Sequence, residues 1–218
     1  MSGPDVPLSP DPIAAALLAD DPVSVAPRLL GAVLHGRGVS VRLTEVEAYR
    51  GADDPGSHAF RGMTPRTTPM FRGAGVVYAY FSYGLHTCVN LVCGAEGSAA
   101  GILLRGGEVV AGEAEARRRR AGARPPEAIL HRDLARGPAR LAQALGVLLS
   151  DSGTVLAPAS SGGALVLDPA GGARTAAIRQ GPRVGVSGPG GGPEFPWRFW
   201  IAGDPTVSAY RAAVSRSG

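Results

Sequence analysis

Two glutamates and a tyrosine alternate along Thr44-Glu45-Val46-Glu47-Ala48-Tyr49. Read as a strand, this segment turns Glu45, Glu47 and Tyr49 to one face and Val46 and Ala48 to the other. A strand that aims two carboxylates and a phenol the same way lines a pocket or a wet surface. A pocket carboxylate can deprotonate water and also steady a nearby cation. Cleaving a glycosidic bond builds an oxocarbenium-like sugar, so one carboxylate, Glu47, suits both tasks. The plain alternative, for Glu47 and Glu45 alike, is a solvated strand carboxylate.

Further along lie groups suited to holding a flat ring. His58 follows in a polar stretch, and then comes the series Tyr78, Tyr80 and Tyr83. Tyr49 and Tyr80 could sandwich a base while the His58 imidazole closes its edge. Taken singly, each is also an ordinary sheet tyrosine or a polar loop histidine. Tyr83 sits beside Gly84 at an expected hairpin turn, where an aromatic can protrude and wedge into a duplex. Asn90 could read a base edge, and Arg105 could hold a phosphate. The run from Arg117 to Arg120 is either a solvated helix face or a phosphate grip.

The elements that must position these groups can be traced in order. Residues 1–10 form a tail rich in Pro, Asp and Ser, expected to be loose. Asp11-Pro12 and Asp21-Pro22 pair an N-cap with a first-turn proline, opening helices over Ile13–Ala19 and towards Leu30. A Gly36-Arg37-Gly38 turn joins a hairpin whose second arm runs from Val39 to Tyr49. From Arg50 to Gly75 the periodicity is lost, and a loop of that length is usually functional. Strands follow at Val76–Phe81, Thr87–Val92 and Ala99–Arg105. Helices are expected over Val110–Arg120 and Ala139–Leu145. Short strands are expected at Ala164–Leu167, Arg183–Val186 and Trp197–Ile201, with a flexible Gly/Pro loop from Gly188 to Gly192. There is no internal repeat, and residues 11–218 read as one domain.

The 218 residues can bury a real core, and an apolar fraction of 44% is ordinary for a soluble protein. The formal charge is +4, and all 22 Lys+Arg residues are arginine. Arginine forks match phosphates and stack on bases; a GC-rich genome would write the same bias. Without lysine, only the chain's N-terminus could form a Schiff base. Any glycosidic chemistry should therefore use water. Cys88 and Cys93 match neither a redox pair nor a zinc pattern and read as reduced core residues. No metal cluster or nucleotide-cofactor motif appears. No apolar run approaches the ~20 residues of a membrane span, and no signal segment opens the chain. The bacterial cytosol, at the nucleoid, is the expected location.

Taken together, several segments carry a resemblance. They are Glu-Val-Glu-Ala-Tyr, Ser57-His58, Arg61-Gly62, Thr64-Pro65-Arg66, Met70-Phe71 and Tyr78-Ala79-Tyr80-Phe81-Ser82-Tyr83-Gly84 through Asn90. Leu103-Leu104-Arg105, Arg136-Gly137-Pro138 with Leu141, Pro182 to Val186 and Trp197-Arg198-Phe199 continue the series in the same order. Over roughly residues 27–210 the chain resembles the alkyladenine (3-methyladenine) DNA glycosylase family. The resemblance implies a mixed α/β (α+β) single domain with a curved, mainly antiparallel sheet and a protruding β-hairpin. It implies a base-excision-repair enzyme acting on damaged double-stranded DNA as a monomer, without a metal or other cofactor. Glu47 takes the water-activating position, and Arg105 stands near the catalytic water and phosphate. Tyr49, His58, Tyr80 and Asn90 take base-pocket positions, and Tyr83 the duplex-entering one. The substrates implied are alkylated or deaminated purines, namely 3-methyladenine, 7-methylguanine and hypoxanthine. Two departures stand beside the hairpin. Thr87 replaces an expected aromatic, and the segment between Asn90 and Arg105 is longer. They bear on lesion preference more than on the reaction.

Two other classes share these residues. A glycoside hydrolase could use Glu45 and Glu47 as acid and base, since alternate strand residues lie roughly 6.5–7 Å apart. A DNA-binding protein could keep the wedge without the chemistry.

Overall fold

A computed structural model describes residues 9–82, 84–169 and 177–213. Its centre is an eleven-residue strand, β2 (Val39–Tyr49), which pairs with β1 (Val33–Gly36), β5 (Gly101–Ala111) and β9 (Arg198–Ile201). The hairpin from β1 to β2 turns on Arg37 and Gly38, at φ 47° and 81°. Two positive φ angles give the type I′ geometry that matches strand twist, and glycine takes the second at no steric cost. His35 is an ordinary strand residue there, its Nδ1 2.8 Å from the Ser40 hydroxyl.

The sheet continues through β4 (His86–Val92) to β3 (Val77–Ser82) on one side and through β1 to β7 (Leu165–Asp168) on the other. Two short strands complete it: β6 (Ala135–Arg136) beside β5, and β8 (Ile178–Gly181) beside β9. All these pairings are antiparallel. Bulges in β2 around residues 43–46 bend its path, and bulged strands twist more strongly. With four α-helices among the described residues, this is an α+β fold with a curled antiparallel sheet.

Period-2 alternation sorts the sheet into two chemistries. Val46, Ala48, Val77, Ala79, Val89, Leu91, Ile102 and Leu104 are buried in one core. The intervening residues Glu47, Tyr78, Asn90, Leu103 and Arg105 face away from it. Helix α4 (Pro138–Leu145) closes this core with Leu141, Ala142, Ala144 and Leu145. It starts on a first-turn proline and ends at Gly146, at φ 73°. Each such leucine removed from water contributes about 1.5–3 kcal/mol.

The N-terminal helices follow their caps. Asp11 accepts from the amides of Ile13 and Ala14 to open α1 (Pro12–Leu18), and Asp21 accepts from Val23 to open α2 (Pro22–Val25). The second helix does not reach Leu30. It tightens into a 3-10 turn over Ala26–Leu29, where Pro27 has no amide to continue an α-helical ladder. Of the expected tail, residues 1–8 lie outside the described residues.

Three further expectations are corrected. The third strand of the middle sheet does not stop at Arg105 but runs to Ala111, so α3 begins at Glu113 and ends at Ala121. Gly106 and Gly107 look like a break, but they mark close approach instead. A Cβ on Gly107 would meet the Val41 side chain and lie 2.6 Å from the Arg42 carbonyl. The second correction concerns residues 183–186, which form a turn with Gly185 at φ 70°, while the strand lies just before, at β8. The Gly188–Gly192 loop, finally, is packed rather than free. Gly190 is buried against Gly56, and a 3-10 turn spans Pro189–Gly191.

Candidate active site

Strand register draws one row of side chains across the sheet. Tyr78 pairs with Asn90, Asn90 with Leu103, Leu103 with Glu47, and Glu47 with Arg198. These residues are far apart in the chain and adjacent only because five strands line up. Above part of this row lies a cavity of about 530 Å³, large enough for a nucleoside. Tyr49, His58, Tyr80, Asn90 and Arg105 all line it, so five of the seven expected site residues share one hollow. Glu47, the sixth, lies directly behind the wall, and Tyr83, the seventh, lies outside the described residues.

Glu47 is fully buried, which removes the solvated-carboxylate alternative. Three donors hold it: the Tyr49 hydroxyl at 2.8 Å, the Val184 amide at 2.7 Å, and Arg105 through Nη1 at 3.3 Å. All three donor residues line the cavity. Burial, and then the neighbouring Glu47 carboxylate, push the Tyr49 phenol well above its ordinary value, so it remains a donor at neutral pH.

Glu45 has a different environment. Its carboxylate accepts from Arg105 Nε at 2.9 Å, Arg198 Nε at 2.8 Å, the Ser208 hydroxyl at 2.9 Å and the Ser208 amide at 2.6 Å. Three of these donors meet Oε1 and one meets Oε2, so both oxygens of the carboxylate are engaged. Burial raises its pKa, but Arg105 and Arg198 outweigh that and the net shift is down. A carboxylate so pinned cannot protonate a leaving group, so the Glu45–Glu47 acid–base pair of a glycoside hydrolase is not formed.

Arg105 bridges the two glutamates. Burial works against its charge, yet Glu47 and Glu45 more than compensate and its pKa is raised. Its Nε and Nη1 are spent on carboxylates, and Nη2 stands 3.4 Å from the Ser208 hydroxyl.

The aromatic wall is built by β3 and the loop after β2. Tyr78 and Tyr80 stack at 5.3 Å, 21° from parallel, and His58 meets Tyr80 edge-on at 4.6 Å. His58 Nδ1 lies 3.3 Å from the Tyr78 hydroxyl. His58 is exposed at the cavity mouth, but crowding there, with Arg66 nearby, lowers its pKa and favours the neutral ring. Burial also raises the phenol of Tyr80. Asn90 is fixed by a bond from its Nδ2 to the Tyr78 carbonyl at 3.2 Å. Both cysteines are buried and free, as expected. Cys93 lies in the core, and Cys88 lies beside Tyr80 in the cavity wall.

Several contributors carry no signal that composition or spacing could reveal. Val184 acts through its backbone, Tyr78 through its hydroxyl, and Ser208 through contacts to a residue 163 positions away. The arginine run resolves mainly into internal bonds. Arg117 joins Glu113 and the Ile129 carbonyl, Arg119 the Ala144 carbonyl, and Arg120 the Leu134 carbonyl, while Arg118 stays exposed beside Glu115.

A buried carboxylate behind an aromatic cavity, on an antiparallel α+β sheet, is the arrangement of a pocket protein whose hollow suits a planar ring. Comparison with known proteins narrows this class. The family model for methylpurine-DNA glycosylase matches residues 16–205. A protein of Leifsonia xyli, provisionally named a 3-methyladenine DNA glycosylase, is 51% identical over 201 residues, covering 90% of this chain and 91% of that one. A relative from Streptomyces avermitilis with the same provisional name is 49% identical over 209 residues, 94% of each chain. One from Cutibacterium acnes is 48% identical, covering 87% of this chain and 95% of its own. The chain belongs to the methylpurine-DNA glycosylase family, DNA repair enzymes that hydrolyse N-glycosyl bonds.

Proposed function

We propose that this protein excises alkylated or deaminated purines from double-stranded DNA, using Glu47 to activate the attacking water. The observation that supports this most directly is the placement of Glu47. It is buried, held by three donors, and separated from an aromatic cavity only by the residues that hold it.

The enzyme bends the duplex, inserts Tyr83 and flips the damaged nucleotide, at a cost of about a few kcal/mol that is smallest where the lesion pairs badly. The base stacks between Tyr49 and Tyr80 with His58 at its edge, and Asn90 crowds the 2-amino group of normal guanine. Glu47 takes a proton from water as the oxygen bonds to C1′. The C1′–N bond breaks and its electron pair leaves with the base. A 3- or 7-methylated purine is already cationic, so it leaves neutral without a general acid. Hypoxanthine is neutral and leaves more slowly, since among the described residues no carboxylate lines the cavity to protonate it. Arg105, between Glu45 and Glu47, keeps a positive charge beside the reacting carboxylate and near the phosphate of the flipped nucleotide. The products are free base and an abasic site, with the strand uncut. A monomer working in the bacterial cytosol, at the nucleoid, suffices.

The test is release of free base from a 7-methylguanine duplex and a hypoxanthine duplex by wild type and by Glu47→Gln. General-base loss predicts a fall of about 10²–10⁴-fold, with duplex affinity retained. Tight binding without release by the wild type would leave a non-catalytic DNA-binding protein. Undiminished release by the variant would remove Glu47 from its role.

A further inference from the structure

We propose that Arg183 is a positioning residue for base release, acting through Tyr49 and Val184; this rests on the glycosylase reading above. Arg183 is almost wholly buried, and it touches three parts of the cavity wall at once. Its guanidinium lies 4.5 Å from the Tyr49 ring centroid, on a ring that also lines the cavity. Its Nη1 and Nη2 grip both oxygens of Asp54 at 2.6 Å, with the Ala48 carbonyl accepting at 2.9 Å and the Gly190 carbonyl at 2.6 Å. Asp54 in turn accepts from the amides of Arg50 and Gly56, so it organises the loop that carries His58. The residue after Arg183 is Val184, whose amide donates to Glu47. One guanidinium thus fastens the His58 loop, the stacking ring and the turn that orients the carboxylate.

Gly56 is fitted to this seat, since a Cβ there would stand 2.5 Å from Arg183 Nη2. Stability alone does not account for the arrangement. A buried ion pair is often no better than apolar residues of the same volume, and the Nε of Arg183 is buried without a partner among the described residues. An unsatisfied buried donor is a cost. The fork and the planar stack serve geometry, which a lysine of equal charge cannot reproduce.

The experiment measures single-turnover base release from the 7-methylguanine and hypoxanthine duplexes, and affinity for a duplex carrying an abasic analogue. Wild type, Arg183→Lys, Asp54→Asn and the surface control Glu127→Ala are compared. Displacing reacting groups by about 1 Å can cost 10²-fold, so release by Arg183→Lys is expected to fall by about tenfold to a hundredfold. Affinity should stay within about threefold, and Glu127→Ala should match wild type. Should Arg183→Lys lack a single cooperative melt, Asp54→Asn is read by the same criteria. Unchanged release overturns the proposal. So do release and affinity falling in step, or loss of folding in both variants, since each assigns the pair to stability. Absence of release by the wild type instead overturns the glycosylase reading, and this inference with it.

Discussion

At the scale of single residues, the site depends on how each acceptor is filled. Glu45 and Glu47 are two positions apart on the same strand face, yet their donors come from different places. Four donors hold Glu45 from Arg105, Arg198 and Ser208, whereas Glu47 sits behind cavity-lining donors. Tyr49→Phe keeps the ring and removes one donor to Glu47. A hydrogen bond to a charged group is worth about 1.5–3 kcal/mol, so single-turnover release should fall by about ten- to a hundredfold while duplex affinity holds. Glu47→Gln should fall further. A Tyr49→Phe rate equal to wild type would show that the phenol does not help to set the carboxylate. His58 carries a pH dependence. Its lowered pKa leaves it neutral at pH 7, and it gains a proton only as pH falls below its ordinary value of 6.5. Removing it in His58→Asn should flatten the part of the pH–rate profile that lies below that value, which a rate series from pH 5 to 8 would reveal.

At the scale of elements, β5 is the strand on which the site is built. It presents Ile102 and Leu104 to the core, and Leu103 and Arg105 to the site. Its two glycines let β2 approach closely enough for Arg105 to reach both glutamates. Gly107→Ala would push against Val41 and the Arg42 backbone. Overpacking of this kind costs about 1–3 kcal/mol. Denaturant melts should therefore show a lower midpoint with an unchanged slope, and a variant as stable as wild type would mean that β2 can yield. The β3–β4 hairpin carries Tyr78, Tyr80 and Asn90 on one face, and the exposed Phe81 and Leu85 lie towards its tip.

At the scale of the molecule, stability and chemistry share charges. Glu45 holds a folded-state pKa below its ordinary 4.5, as Asp21 and Asp204 do below their 3.8. A carboxyl lowered on folding stabilises fully above its unfolded value, and that contribution is lost as pH falls through the folded one. The melting temperature should therefore drop as pH falls from about 5 to 3. Glu45→Gln should be less stable at neutral pH by about 3–5 kcal/mol, because it strands the buried Arg198 and leaves Arg105 with Glu47 alone, and should show a shallower acid limb. Parallel acid limbs in the two proteins would exclude Glu45 as a source of the slope. The missing lysines act at this scale too. With only an N-terminal amine for a Schiff base, borohydride added during turnover should trap no protein–DNA adduct on internal residues, and peptide mapping of any adduct would check this.

Local signals in the sequence determined much of this. The alternation of Glu45, Glu47 and Tyr49, the Asp-Pro caps, the Arg37-Gly38 turn and the order of the tyrosines fixed the strand face, the helix starts, the hairpin and the family. Those features depend on neighbours a few residues apart, and backbone sterics act at that range. That the strand continues past Arg105 and that 183–186 form a turn is not legible locally, because glycine is ambiguous in a sequence. It signals a turn or a close approach, and only the packed partner decides which. Tertiary structure alone decided that Glu45 is held by Arg105, Arg198 and Ser208, whereas all of Glu47's donors line the cavity. The donors that distinguish them come from Arg105, Val184, Arg198 and Ser208, residues remote in the chain and brought together by sheet register. A carboxylate's chemistry depends on which dipoles and charges surround it in a medium that screens them weakly, and the folded chain supplies them.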